Sequence, residues 1–296
     1  MSPLFPGIDL ERRRVNGVEI AFRRCGQGAP LLLLHGFPQT HAIWHRVAPQ
    51  LAARHSLVLP DLRGYGDSAK PPTSGDHAPY SKRALALDLV ELMRSLGHAQ
   101  FQVCGHDRGG RVAHRMALDH PEAVTRLMVL DISPTRTMYE RTTMEFARLY
   151  YHWFFLIQPA PLPERLIAAE PRLYLHTKLG GWGSAGTTLF DPRALAEYER
   201  CFTPEAIHAM CEDYRAAAGI DLEHDRADSA KVRCPLRVLW GERGVVNRLY
   251  TPVADWQEKC ELAVTGRTTP GGHYIPEESP ELLAAEMLDF FGSGSD

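Results

Sequence analysis

The chain has 296 residues, 44% of them hydrophobic and 23% charged, with a formal net charge of -3 at pH 7. That length suits one large domain or a domain carrying an insertion, and it excludes a disulfide-stapled mini-protein, a coiled coil and a disordered tail protein. The near-even charge balance speaks against nucleic acid as a partner, and apolar runs such as Leu31 to Leu34 and Trp153 to Ile157 are too short to cross a bilayer.

Met1 to Leu10 lacks a basic segment followed by an apolar stretch, so no signal peptide is expected. Six cysteines are scattered without Cys-x-x-Cys pairs, the pattern of reduced thiols, and a cytoplasmic location is expected. Asn16-Gly17, followed by Val18, Ile20 and Phe22 at period two, predicts a hairpin with a type I′ turn. Short apolar runs then read as buried strands: Leu31 to Leu34, Leu57 to Leu59, Phe101 to Cys104, Val124 to Leu130 and Leu236 to Trp240. Between them, helical patterns run over His41 to Ala53, Ser81 to Leu96 and Gly110 to His120, the last stopped before Pro121. Alternation of this kind predicts an α/β fold with a parallel sheet, whose active site lies at the carboxyl ends of the strands. From Ser133 to Asp225 the rhythm breaks into aromatic-rich and proline-rich sequence without strands. This stretch reads as a helical cap over residues 135–225, inserted in a core made of residues 1–134 and 226–296. A short Gly/Ser tail runs from Gly292 to Ser295.

After the strand ending at Cys104 comes Gly105-His106-Asp107-Arg108-Gly109, opening a helix. This resembles the strand-turn-helix elbow of the α/β-hydrolase fold, with Asp where many members carry Ser. A carboxylate is ionised at neutral pH, needs no activating base, and suits displacement at a saturated carbon. The ester so formed must then be cleaved by water, and His273, in Gly271-Gly272-His273-Tyr274, is placed to be the base. Asp131, ending the strand from Val124, is its acidic partner; Glu242 is the only carboxylate at the other usual position and comes early for that role. The catalytic set is therefore Asp107, Asp131 and His273. His35-Gly36-Phe37-Pro38 places the backbone N–H of Phe37 to join that of Arg108 in an oxyanion hole. His35 reads as structural, as does the His41/His45 pair, which lacks a third, acidic ligand; no metal is expected.

Arg108 and Arg111 stand at the start of the same helix, and two cations exceed what one carboxylate needs. A guanidinium fork binds a carboxylate in bidentate fashion, so a small carboxylic acid is the natural substrate class, an ion pair to the cap being the alternative.

Gly-His-Asp-Arg-Gly-Gly-Arg with Asp107, Arg108 and Arg111 resembles the fluoroacetate (haloacetate) dehalogenases. So do His35-Gly36-Phe37-Pro38-Gln39-Thr40, Tyr151-His152-Trp153, Gln158-Pro159-Ala160-Pro161-Leu162-Pro163 and Met210-Cys211-Glu212-Asp213-Tyr214-Arg215. The likeness runs over essentially the whole chain. It implies a mostly parallel eight-stranded sheet flanked by helices, with an inserted helical cap. It further implies Arg108 and Arg111 on the substrate carboxylate, and a halide pocket of His152, Trp153 and Tyr214. A homodimer without cofactor is implied as well. Trp182 is a further candidate for the pocket lining. The expected reaction is hydrolysis of a short 2-haloacid to the 2-hydroxy acid. An epoxide hydrolase, with Tyr151 or Tyr214 donating to the epoxide oxygen, is the alternative enzyme, disfavoured because Arg108 replaces the apolar Trp those enzymes carry. A ligand-binding protein without turnover is disfavoured by the complete triad.

Overall fold

A computed structural model describes residues 3–292; the Gly/Ser tail beyond Gly292 lies outside the described residues. One eight-stranded sheet organises the chain: β1 (Leu10–Val15), β2 (Val18–Cys25), β3 (Ala29–Leu34), β4 (His55–Pro60), β5 (Phe101–His106), β6 (Val124–Leu130), β7 (Leu236–Gly241) and β8 (Thr265–Thr269), in the spatial order β1-β2-β4-β3-β5-β6-β7-β8. β1 and β2 form the expected hairpin, with Asn16 and Gly17 at φ 45 and 78, and β2 meets β4 antiparallel. Every other pairing is parallel.

Side chains of a strand alternate between faces, and here both faces are dry. Leu32, Leu34, Val103, Leu127 and Val129 pack with Leu89, Val112 and Met116 from helices Lys82–Ser95 and Arg108–Asp119. Leu31, Leu33, Cys104, Met128 and Leu130 join the opposite cluster, with Trp44, Leu283 and Met287. Ser81 caps the first helix through its side chain, accepting from the Ala84 N–H at 3.2 Å.

Two expectations need correcting. The helix expected over 41–53 is a 3-10 turn at His41–Trp44 and a short helix at Ala48–Leu51. Pro49 has no N–H to continue the ladder, and it sits in the first turn of the second piece, where that loss is harmless. β8 escaped notice because Thr-Gly-Arg-Thr-Thr is polar and mostly exposed, as an edge strand can be.

Between β6 and β7 the described residues contain helices and no strand. No helix among the described residues is long and apolar enough to cross a membrane. All six cysteines are free.

Candidate active site

Asp107 follows β5 directly, with φ 44 and ψ -112, in a region that L side chains rarely adopt. The glycines around it are demanded by contact. A Cβ on Gly105 would stand 2.5 Å from the Gly109 oxygen, and one on Gly109 would stand 2.4 Å from the His35 oxygen. The turn therefore presses the start of the helix against the end of β3, and it brings the loop after β3 over the carboxylate. The Phe37 N–H donates to Asp107 Oδ2 at 3.1 Å. Oδ1 carries no hydrogen bond among the described residues.

Asp131 follows β6, also at positive φ (51), and its carboxylate is shared between two donors. The His273 Nδ1–H donates to Oδ2 at 2.6 Å and the Gly241 N–H to Oδ1 at 3.0 Å. Holding Nδ1 as the donor fixes the ring and leaves Nε2 as the nitrogen able to accept a proton. Behind the ring lies His106, its centroid 4.6 Å from that of His273, donating through Nε2 to the His273 carbonyl at 2.9 Å. Burial, with the His273 cation, lowers the His106 pKa to about 3, so it is a neutral support.

Burial pulls the pKa of His273 down, but the bond to Asp131 and the charges of Asp131 and Asp107 outweigh it, and the net shift is upward. For Asp107 burial pushes up, while His273, Arg111, His106 and Arg108 hold it down, and the net shift is downward. The nucleophile candidate is ionised, and its neighbour holds a proton more strongly than a free imidazole does.

The two arginines are buried but not equivalent. Arg108 gives Nε to Asp213 Oδ2 at 2.7 Å and Nη2 to the Asp213 carbonyl at 2.8 Å. Asp213 lies on helix Pro204–Ala218 of the insertion, and it also accepts from the Tyr65 hydroxyl at 2.8 Å and from Lys82. Arg111 donates through Nη1 to the Ser133 carbonyl and Thr135 Oγ1, at 3.2 and 2.9 Å. What remains is one buried donor on each without a partner: Nη1 of Arg108 and Nε of Arg111.

Aromatic side chains of the insertion close over them. The Arg108 guanidinium lies 4.2 Å from the Tyr214 ring centroid and that of Arg111 lies 4.7 Å from the Trp153 ring. The His152 ring is 5.6 Å from that of Tyr214, and Trp153 is 6.4 Å from the same ring. The Tyr214 hydroxyl and His152 Nδ1 are buried without partners. The Trp182 ring lies tilted 4.7 Å from that of His152 and edge-on 5.1 Å from that of His273. The structure thus brings together Asp107, Asp131, His273, Arg108, Arg111, Phe37, His152, Trp153, Tyr214 and Trp182. Tyr151 stands apart, 42% exposed, and Glu242 is exposed. His35 is held by the Leu62 N–H, and His41 by Asp61.

A family profile of the α/β hydrolase fold matches residues 29–280. The fluoroacetate dehalogenase of Burkholderia sp is 45% identical over 289 residues, which is 97% of this chain and 95% of that protein. The chain belongs to the fluoroacetate dehalogenase family of α/β hydrolases. A soluble epoxide hydrolase of Corynebacterium sp. (strain C12) is 33% identical over 96% of this chain and 97% of its own. A crystal structure from Nostoc sp PCC 7120, a candidate α/β hydrolase, superposes with a TM-score of 0.95 at 52% identity, covering 97% and 99% of the two chains.

In this member of the fluoroacetate dehalogenase family, several neighbours of the site were not singled out from sequence. Asp213 is the most consequential, since its partners Arg108, Lys82 and Tyr65 are 105, 131 and 148 residues away along the chain. Of the neighbours Tyr150 and Tyr151, it is Tyr150 that is buried, with its hydroxyl unpartnered. Two groups with metal-ligand geometry, Asp67/Glu197/Cys201 and Glu164/His208/Glu212, lie apart from the triad, and Arg200 and Arg215 already bridge their carboxylates.

Asp213→Asn leaves Arg108 and Lys82 buried without their counter-charge, and such a loss costs about 3–5 kcal/mol of folding stability. Burial raises the Asp213 pKa, but Arg108 and Lys82 outweigh it and hold it well below the usual range. Its contribution to stability is therefore complete above the unfolded-state pKa of about 4 and fades as pH falls below it. Urea unfolding at pH 7 and pH 3 is expected to show a large deficit for the Asp213→Asn protein at pH 7 that narrows at pH 3.

Proposed function

We propose that this enzyme hydrolyses short 2-haloacids, haloacetate to glycolate and halide, with residues 135–225 acting as a cap. The observation that carries this reading is the pair of unpartnered buried guanidinium donors, Arg108 Nη1 and Arg111 Nε, beside an ionised aspartate. Buried donors without acceptors are costly, and a substrate carboxylate supplies the missing acceptor and offsets its own repulsion from Asp107.

In the first step Asp107 Oδ1 attacks the α-carbon in line with the carbon–halogen bond, and halide leaves with the bonding pair. His152, Trp153 and Tyr214 can donate to the departing anion in a dry site, where such donors act most strongly. Burial raises the Tyr214 pKa far above its ordinary value and lowers that of His152, so Tyr214 keeps its proton and His152 is neutral. In the second step His273 Nε2 takes a proton from water, whose oxygen attacks Asp107 Cγ. Negative charge develops on Oδ2, where the Phe37 N–H already donates. The Arg108 backbone N–H, at the start of its helix, is the second donor of the proposed hole. The tetrahedral species collapses, His273 returns its proton to the leaving alkoxide, and Asp107 loses the remaining proton to solvent. A chiral α-carbon is inverted, because only the first step touches it.

Esterification also resets the base. It removes the negative charge of Asp107, one of the influences that raise His273, so the imidazole gives up its proton more readily once it is needed. The histidine of the free enzyme is expected to titrate above its ordinary 6.5 by NMR. Ester hydrolysis in single turnover is expected to rise with pH through a lower midpoint. Coincident midpoints, or the reverse order, would remove this coupling.

Halide release from fluoroacetate, chloroacetate and bromoacetate, with styrene oxide alongside, tests the proposal. Halide from any of the acids, with the epoxide untouched, supports it. Epoxide opening without halide release would transfer the site to the chemistry of the Corynebacterium relative. Of the two alternative phenolic donors for that reading, Tyr214 is buried beside Arg108 and Tyr151 is 42% exposed.

A further inference from the structure

A cleft of about 430 Å³ lies on the other side of Trp182 from the triad, lined by Arg148, Tyr151, Lys178, Trp182, Arg243 and Arg248 among others. Four of its lining residues are cationic and none is acidic. Arg248 pairs with Glu145, and Arg243 reaches Glu278 and Glu242 at 3.5 and 3.6 Å. Arg148 and Lys178 have no carboxylate partner among the described residues. Lys178 is only 3% exposed, and its ammonium meets ring faces instead, 3.7 Å from the Tyr151 centroid and 5.3 Å from that of Tyr174. Burial lowers its pKa to about 8, which leaves it charged at neutral pH.

The cleft runs close to Asp131. Gly244, also in its lining, is so near Asp131 that a Cβ there would meet Oδ1 at 3.1 Å. Trp182 stands between the cleft and His273, its ring 5.7 Å from the Lys178 ammonium and 5.1 Å from the His273 ring. It stands at φ 59, which is uncommon for a bulky residue, between Gly181 and Gly183, and Gly183 has φ 83. Gly183 is pressed against the neighbouring chain, where a Cβ would stand 2.1 Å from the Arg243 oxygen, so the half-buried indole is free to swing only about its own side-chain bonds.

We propose that this cleft is the portal by which the anionic substrate reaches Asp107, with Lys178 and Arg148 as its capturing charges and Trp182 as its gate. The inference rests on the haloacid reading above. Walls of one charge sign concentrate the opposite ion and raise association rates by about 10–1000-fold, an effect that salt screens over about 10 Å. Charges that capture but do not hold the bound substrate alter the rate of arrival, not the chemistry.

The test is stopped-flow tryptophan fluorescence of the Asp107→Asn protein mixed with chloroacetate, from about 10 to about 300 mM ionic strength. Association is expected to slow steeply with salt. Lys178→Met and Arg148→Gln, each added to that background, should slow it about three- to tenfold at low salt and flatten the dependence. Lys178→Arg should restore both, which separates lost charge from lost folding. Unchanged association rates in both variants, with binding intact, would overturn the portal alone. Affinity that falls equally at every salt concentration would also overturn it, since Lys178 would then hold bound substrate. No binding of chloroacetate at all would overturn the haloacid reading and the portal with it.

Discussion

Replacing Asp107 with Asn is expected to abolish halide release while tightening the binding of small carboxylates. The first effect is the loss of the nucleophile, on the order of 10⁴-fold or more. The second follows from the buried charges. Asp107 and a substrate carboxylate are like charges in one dry site, and removing one of them leaves Arg108 and Arg111 facing a single anion. Glycolate or chloroacetate affinity should rise by about tenfold or more, read by calorimetry. Asn is the informative choice because it keeps the shape of the Asp107 side chain while removing its charge. Halide release at the wild-type rate would end the proposed mechanism. Weakened carboxylate binding would mean that the arginines hold Asp107 and not the substrate.

His273→Asn should divide the reaction in two. Asp107 needs no base to displace halide, so each site should release one halide and then stop. The intact protein should gain the mass of one carboxymethyl group, located by peptide mapping on the segment holding Asp107. Steady-state turnover should fall by about 10³-fold or more, while the first turnover changes far less. A wild-type burst without added mass would mean that another group cleaves the ester. No burst at all would place His273 in the first step. Running the wild-type enzyme for one turnover in heavy-oxygen water supplies an independent check: the label should enter Asp107 before it enters glycolate.

The core of this fold was legible because its signals are local. Leu31 to Leu34 and Val124 to Leu130 are continuous apolar runs, as strands covered on both faces must be, and the second is reproduced to the residue. The elbow at Asp107 is likewise written in a few consecutive residues, with glycines where a Cβ finds no room. The start of Arg108–Asp119 was placed two residues late, since two glycines weaken a helical pattern that tertiary packing enforces. Pairings across the insertion are a different matter. Nothing near Asp213 in sequence says that its carboxylate meets Arg108, Lys82 and Tyr65, because the meeting exists only once the insertion has docked. The neighbouring pair Tyr150 and Tyr151 shows the same limit, for a short helix begins there and a shift of one residue decides which hydroxyl is inside.

The Arg108–Asp213 pair also bears on protein engineering. The insertion is not a detachable lid that could be traded freely between relatives, because it supplies the counter-ion that holds Arg108 at the start of the helix after β5. A chimera that brings in a foreign insertion without an acid at this place would strand two buried cations and, on the proposed reading, misdirect the carboxylate clamp as well. Exchange of these segments has to carry position 213 along with Lys82 and Tyr65 as a single inherited unit.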